Sequence, residues 1–307
     1  MPAGDFDEPL RTAMFAYLDR ISDRRLRSVT TAELNAFEFD GNQLALLQHM
    51  RGIRVVAGLP AALSIRTTYA ARPEERPYED NQGPDGYYRY KWRGTDPDAH
   101  DNVALRVAMT QHKPLAWFVG VAAGLFAAVY PVWLVAEEQG QTQFVLAFDQ
   151  IMRDDWPTPE RLQHPADMAL RRQYAETIVR RRLHQPVFRQ RVLVAYRTQC
   201  ALCRLRHPEL LDAAHIREDS DGGEPIVPNG VAMCAIHHRA FDQDVIGIRP
   251  DFLVQVRSDV LKEVDGPTLK HTLQGIHNAR IELPRKRAAW PSSDLLEERY
   301  ERFRAAS

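Results

Sequence analysis

Between residues 200 and 242, all three cysteines of the 307-residue chain stand at spacings that suit a metal ion. Cys200 and Cys203 form a Cys-x2-Cys pair in CALC, and Cys234 and His237 form a Cys-x2-His pair in MCAIHH. Three thiolates and one imidazole are the donor set of a closed tetrahedral zinc site. Thirty residues separate the two halves, so one structural zinc per chain would staple two distant turns of a small subdomain. Buried cysteines also serve as small hydrophobes with an incidental histidine nearby. Paired spacing in both halves favours the metal. A disulfide fits poorly, because the cysteine number is odd and the opening MPAGDFDEPL is too acidic and polar for a targeting segment. Both features point to a reducing, cytoplasmic setting.

A second set of residues is interleaved with the first. His215 follows a short apolar run, LDAAHI, that reads as a strand and would present the imidazole from a rigid backbone. Asn229 stands in a Pro-Asn-Gly turn, where its amide can fix the local backbone. Residues 231–241 read as a helix, on which His238 and Asp242 are four apart and share a face. An imidazole and a carboxylate with open positions suit a divalent ion such as Mg2+ or Mn2+. A neutral His215 facing that ion can take a proton from water, while the cation stabilises charge on a phosphate oxygen and on the leaving alkoxide. The plainer alternative is a zinc-stapled module with a helix N-cap asparagine and two surface histidines.

Taken together, Cys-x2-Cys, the His of AAHI, the Asn of NG and Cys-x2-His-His resemble the HNH nucleases of the ββα-metal fold. That resemblance implies a two-stranded hairpin followed by a helix, gripping one divalent cation and hydrolysing DNA phosphodiesters. On it, His215 matches the general base, Asn229 the asparagine that orients the base-bearing loop, and His238 the helix histidine that binds the catalytic metal. Asp242 resembles the second helix ligand of some members, and the cysteines with His237 resemble the zinc-stapled subset. Many members carry a further ligand just before the base, where this chain has Ala214. Asp212, on the same strand face, is the candidate replacement. The resemblance covers about residues 190 to 260.

The charged fraction of 26% and apolar fraction of 44% are those of a soluble globular protein, and the length allows two domains. Net charge is −1, so the whole chain does not announce nucleic acid, but its distribution does. From Arg161 to Arg206 there are eleven arginines and two acids, and clustered arginine is a natural counterpart of a phosphate backbone. Arg180, Arg181 and Arg182 form its densest part, although a solvated helix face gives the same pattern. Residues 115–135 carry no charge over a length that can span a bilayer. Gly120, Gly124, Pro131 and many β-branched and aromatic residues argue instead for two or three buried strands, and no membrane association is expected.

Residues 1–153 read as a mixed, mostly β domain with a barrel-like or strongly curved sheet, opened by a helix near residues 7–24 and a capping box in TTAE. An acidic, Pro-rich loop over 71–86 and a linker near 154–165 interrupt it, arginine-rich helices run through 154–198, and residues 199–307 hold the HNH core with a C-terminal extension. The overall class is α+β. A core this small contacts few base edges, so target choice falls to the N-terminal domain. There Tyr88, Tyr90, Trp92 and Arg93 are candidates to stack on a base and hold phosphate, with Asp101 and Asn102 nearby for a base edge. Alternating aromatics in a strand also arise from core and cross-strand packing. A β-rich half ahead of an HNH core resembles modification-dependent restriction endonucleases, some with a PUA-superfamily domain (the SRA type among them) that reads modified cytosine. The expected partner is therefore double-stranded DNA, with modified cytosine as the mark this resemblance implies, met by a homodimer because two strands need two active sites.

Overall fold

The computed structural model describes residues 6–48, 51–69, 81–156 and 165–306. It divides into two compact units, Met1–Val187 and Phe188–Ser307. The expected linker over 157–164 and most of the acidic loop (70–80) lie outside the described residues.

The first unit opens with helix α1 (Asp7–Ile21), whose Leu10, Met14 and Leu18 recur every four residues and are fully buried. Strand β1 (Val29–Thr30) runs into helix α2 (Thr31–Asn35) through the capping box read from TTAE: Glu33 N–H donates to Thr30 Oγ1, and Thr30 N–H donates to Glu33 Oε2. Short strands β2 (Glu38–Phe39), β3 (Asn42–Gln43), β4 (Ile53–Arg54), β5 (Ser64–Thr67) and β6 (Tyr88–Lys91) follow, then helix α3 (His100–Thr110). The uncharged run becomes β7 (Leu115–Ala122) and the first part of β8 (Leu125–Glu138), joined by a turn with Gly124 at φ +69. Strand β9 (Gln143–Ala147) and helix α4 (Gln150–Asp154) complete this part.

Seven strands form one sheet in the order β4-β5-β7-β8-β9-β6, with β1 also paired to β8. Register shifts interrupt the β7–β8 and β8–β9 ladders, and such bulges bend strands, so the sheet curls. One face buries Trp117, Val129, Phe144 and Tyr90, and the other packs Phe118, Ala128 and Tyr130 against α1. The α+β class and the curved N-terminal sheet follow the sequence reading. Among the described residues, no helix is long and apolar enough to cross a membrane.

Helix α5 (Pro165–Val179), a π-helical turn at Arg180–His184 and helix α6 (Gln185–Ala195) carry the arginine-rich stretch. In the second unit, strands β10 (Leu211–His215) and β11 (Gly230–Cys234) pair antiparallel, with His215 opposite Gly230 and Leu211 opposite Cys234. Helix α7 (Ala235–Asp242) follows directly. The helix read over 231–241 is thereby corrected: GVAMC is fully buried and finds its backbone partners in LDAAH, so it extends as a strand, and the helix starts only after Cys234. Strands β12 (Ile246–Ile248) and β13 (Val254–Val256), helix α8 (Ser258–Lys262), a π turn at Leu269–Leu273 and helix α9 (Ser293–Ala305) close the unit around a core centred on Phe241, Met233 and Ile246.

Candidate active site and metal centres

The loop carrying Cys200 and Cys203 is a tight turn with Arg197, Thr198 and Arg204 at positive φ, closed by Cys200 N–H to Leu205 O at 2.9 Å. Ala201 N–H donates to Ala232 O at 2.7 Å, which fastens this turn to β11, whose last residue is Cys234. His237 lies in the first turn of α7 and is fully buried. Among the described residues, these four are the one group of His, Cys, Asp and Glu whose ligand atoms all lie within 4.8 Å of one another.

The spacing fits zinc. Tetrahedral angles at bond lengths of about 2.3 Å to sulfur and 2.0–2.1 Å to nitrogen put two sulfurs roughly 3.8 Å apart, and sulfur and nitrogen roughly 3.6 Å apart. Cys203 Sγ stands 3.9 Å from Cys234 Sγ, and His237 Nδ1 stands 3.4 Å from Cys200 Sγ and 3.3 Å from Cys234 Sγ. With His237 Nε2–H donating to Thr272 O at 2.9 Å, Nδ1 is left as the ligating nitrogen. Without a cation the sulfurs cannot all be thiolates. Hydrogen bonds from Cys200 and Cys203 hold the Cys234 thiol far below its usual range, while Cys200 and Cys234 push Cys203 far above it.

Beside this cluster lies the second set. His238 follows His237 on α7, and its ring stands between two carboxylates: Nδ1 is 3.3 Å from Asp212 Oδ2, and Nε2 is 3.5 Å from Asp242 Oδ2. The structure thus brings Asp212 from β10 and Asp242 from the end of α7 to the same imidazole. They meet it on opposite nitrogens, and one nitrogen binds one cation, so each carboxylate pairs with a different coordination edge of the ring. Burial opposes charge on His238, but the Asp212 hydrogen bond and the fields of both carboxylates outweigh it and raise its pKa. Asp212 is shifted down: burial raises its carboxyl, and the hydrogen bond and charge of His238 more than reverse this.

His215 ends β10 half-buried, its ring stacked on Phe188 with centroids 4.1 Å apart and planes 19° from parallel. Burial lowers its pKa below the ordinary histidine value, so the ring is neutral near pH 7. Gly230 faces it across the ladder, and a Cβ there would lie 2.7 Å from the Phe188 ring and 2.6 Å from Val192. Only glycine leaves the Phe188 ring room to cover His215. Asn229, 1% exposed, accepts Arg217 N–H at 2.9 Å and donates to Arg217 O at 3.0 Å and Glu224 O at 2.9 Å. These side-chain hydrogen bonds all go into the loop that leaves His215.

Several supports were not legible in the sequence. Arg189, counted only as part of the basic run, donates to Pro208 O and Leu211 O and approaches Asp212 Oδ1 at 3.5 Å, fixing the start of β10. Buried Arg299 on α9 donates to Phe241 O at 2.7 Å and pairs with Glu218 at 3.5 Å and Asp244 at 3.7 Å. It thereby ties the loop after His215 to the end of α7. Phe188 was silent too, although the glycine opposite His215 is a usable signal for a ring packed there.

Residues 200–249 match the family model for HNH endonucleases. This segment is an HNH endonuclease domain. The match starts at Cys200 and ends beyond Asp242, so it takes in both metal sets. No curated protein matches the chain. Among solved structures, the modification-dependent restriction endonuclease TagI is similar at 16% identity over 90% of this chain and 92% of its own, with a TM-score of 0.29. The type IV phosphorothioation-dependent restriction endonuclease ScoMcrA is similar at 17% identity over 63% of this chain and 55% of its own, with a TM-score of 0.22.

Outside the HNH domain, the targeting residues fare differently. Tyr90 and Trp92 are 5% and 4% exposed and belong to the sheet core, with Trp92 against Phe144 and Tyr90 against Trp117. Neither offers a ring face to a base, so the stacking expected of them is withdrawn. Tyr88 is half-buried between Trp117 and His184. Asp101 and Asn102 are buried and serve Arg93: Asp101 pairs with its guanidinium at 2.8 Å, and Asn102 brackets its backbone. They do not reach a base edge. Arg93 remains partly exposed on this support, and Arg180 and Arg181 are exposed, with Arg182 half-buried.

Proposed function

We propose that the chain is a metal-dependent DNA endonuclease of restriction type, with the HNH domain cutting and the N-terminal unit selecting the target. The observation that carries the reading is the convergence of Asp212, Asp242 and His238 in a hairpin-and-helix unit that also presents a neutral, ring-stacked His215.

His238 with Asp242, or with Asp212, would hold Mg2+ or Mn2+, since an imidazole and a carboxylate with open positions suit either ion. That cation supplies charge neutralisation at the scissile phosphate and the leaving oxygen. His215 takes the proton from the attacking water, which its lowered basicity allows at neutral pH. Phe188 keeps the ring in one plane, and Asn229 holds the loop that follows it. A zinc held by Cys200, Cys203, Cys234 and His237 would brace the turn, the strand and the helix that carry these groups.

Arg93 and Arg180, Arg181 and Arg182 are the proposed phosphate contacts, with Tyr88 at the edge of that surface. A homodimer follows from the chemistry, because one HNH centre cuts one strand. The test is to incubate matched plasmids, unmodified, methylated, hydroxymethylated or phosphorothioated, with Mg2+ or Mn2+. Cutting of a modified plasmid in preference to the plain one is expected. Tight binding with no cutting under any metal or modification would favour a non-catalytic, zinc-stapled DNA-binding protein instead.

A further inference from the structure

Helix α7 has only eight residues, and Asp242 is the last of them. Intrahelical hydrogen bonds run out in the final turn of so short a helix, so a carboxylate placed there needs fixing from outside. Helix α9 supplies it. Arg299 Nη2 donates to Phe241 O at 2.7 Å, with its guanidinium 4.6 Å from the centre of the Phe241 ring, and Arg302 Nη2 donates to Asp242 O at 3.4 Å. Both arginines also reach Asp244, which stands at φ +51 just after this turn, at 3.7 Å from Arg299 and 3.2 Å from Arg302.

The same stretch of α9 grips the loop that leaves His215. Glu218 Oε1 lies 3.5 Å from Arg299 Nη1 and 3.3 Å from Arg302 Nη1, and Glu298 pairs with Arg217. Neighbouring residues of α9 thus hold both the loop behind the base and the helix end that carries Asp242.

Stability does not account for Arg299. Its side chain is 4% exposed, its Nε is buried without a hydrogen-bond partner, and its two carboxylates stand no closer than 3.5 Å. Burying a guanidinium costs more than pairs of that length return, and an apolar side chain of similar volume is often as stable. Phe241 O also accepts Asp244 N–H at 3.2 Å, so it keeps a partner without the arginine. What Arg299 adds is a fixed position.

We propose that Arg299, with Arg302, is a positioning residue of the nuclease site, holding Asp242 at the Nε2 edge of His238 as a ligand of the divalent cation. Asp212 is engaged otherwise, by Arg189 at 3.5 Å and by Ala213 N–H at 2.9 Å. The inference rests on the nuclease reading above, and it brings α9, which lies outside the matched segment 200–249, into the site.

The test titrates Mn2+ into the full-length chain, follows the free-ion signal by electron paramagnetic resonance, and records melting curves alongside. His238→Ala marks the part of the binding that belongs to this site. Arg299→Met, which keeps most of the side-chain volume, should melt like the parent or higher. It should bind Mn2+ about tenfold more weakly or worse, the usual effect of removing a group that orients a metal ligand. Excess Mn2+ should restore cleavage to Arg299→Met but not to His215→Ala. Should Arg299→Met fail to fold, Arg302→Ala, at a partly exposed position, must show the loss of affinity by itself. Parent-like Mn2+ affinity in the folded variants, or a loss that only tracks a fall in melting temperature, overturns the proposal and leaves the nuclease reading intact. A parent that binds no more Mn2+ than His238→Ala and cuts no plasmid sinks the nuclease reading, and this inference with it.

Discussion

His215 carries the chemistry of this account, and its surroundings set when it can act. Burial lowers its pKa while the charge of Asp219 pulls the other way, and burial is the larger effect. A general base works deprotonated, so activity is full above this pKa and is lost as pH falls through it. A cation on His238 would lower the pKa further, with the same sign. The acidic limb of a kcat/KM profile should therefore have its midpoint below 6.5, the ordinary histidine value; a midpoint above it would remove His215 as the base. Asn229 gives a second test at this scale. Asn229→Ala removes three part-buried hydrogen bonds to backbone groups of Arg217 and Glu224, which should cost roughly 1–3 kcal/mol in denaturant unfolding. Cleavage should fall further than that loss of folded protein explains, because the loop next to the base is released.

At the scale of elements, the hairpin, the first turn of α7 and the cysteine turn are joined through four side chains. Removing a structural zinc removes folding free energy of about 10–16 kcal/mol in small zinc domains. Metal analysis should return about one tightly held zinc per chain, and a strong chelator should unfold residues 188–307 together with loss of cleavage, even with Mg2+ in excess. Full retention of circular dichroism after complete zinc removal would contradict the bracing role. This element was legible in the sequence because metal ligation fixes both residue type and spacing. The start of α7 was not, since an apolar GVAMC satisfies a helix or a buried strand equally until its pairing with LDAAH is known. Phe188 and Arg299 were hidden for a related reason, as both act across long sequence separations that no local pattern encodes.

For the whole molecule, the curved sheet followed from short β-branched and aromatic runs with turn residues between them, and the same runs misled about Tyr90 and Trp92. Alternation marks which residues share a face but not which face is the core. The proposed target selection by the N-terminal unit would therefore rest on Arg93 and on Arg180 to Arg182, not on an aromatic platform. Phosphate contacts of this kind carry a strong salt dependence. Replacing Arg180 and Arg181 by alanine should weaken duplex binding about equally for all sequences and flatten the salt dependence by roughly two contacts. The most direct measurement of the central claim is cleavage of supercoiled plasmid in Mn2+ by the parent chain and by His215→Ala, each checked for one zinc and an unchanged melting curve. The account predicts nicked and linear product from the parent and a loss of at least about a hundredfold in rate for the variant. Equal cutting by the two would contradict it.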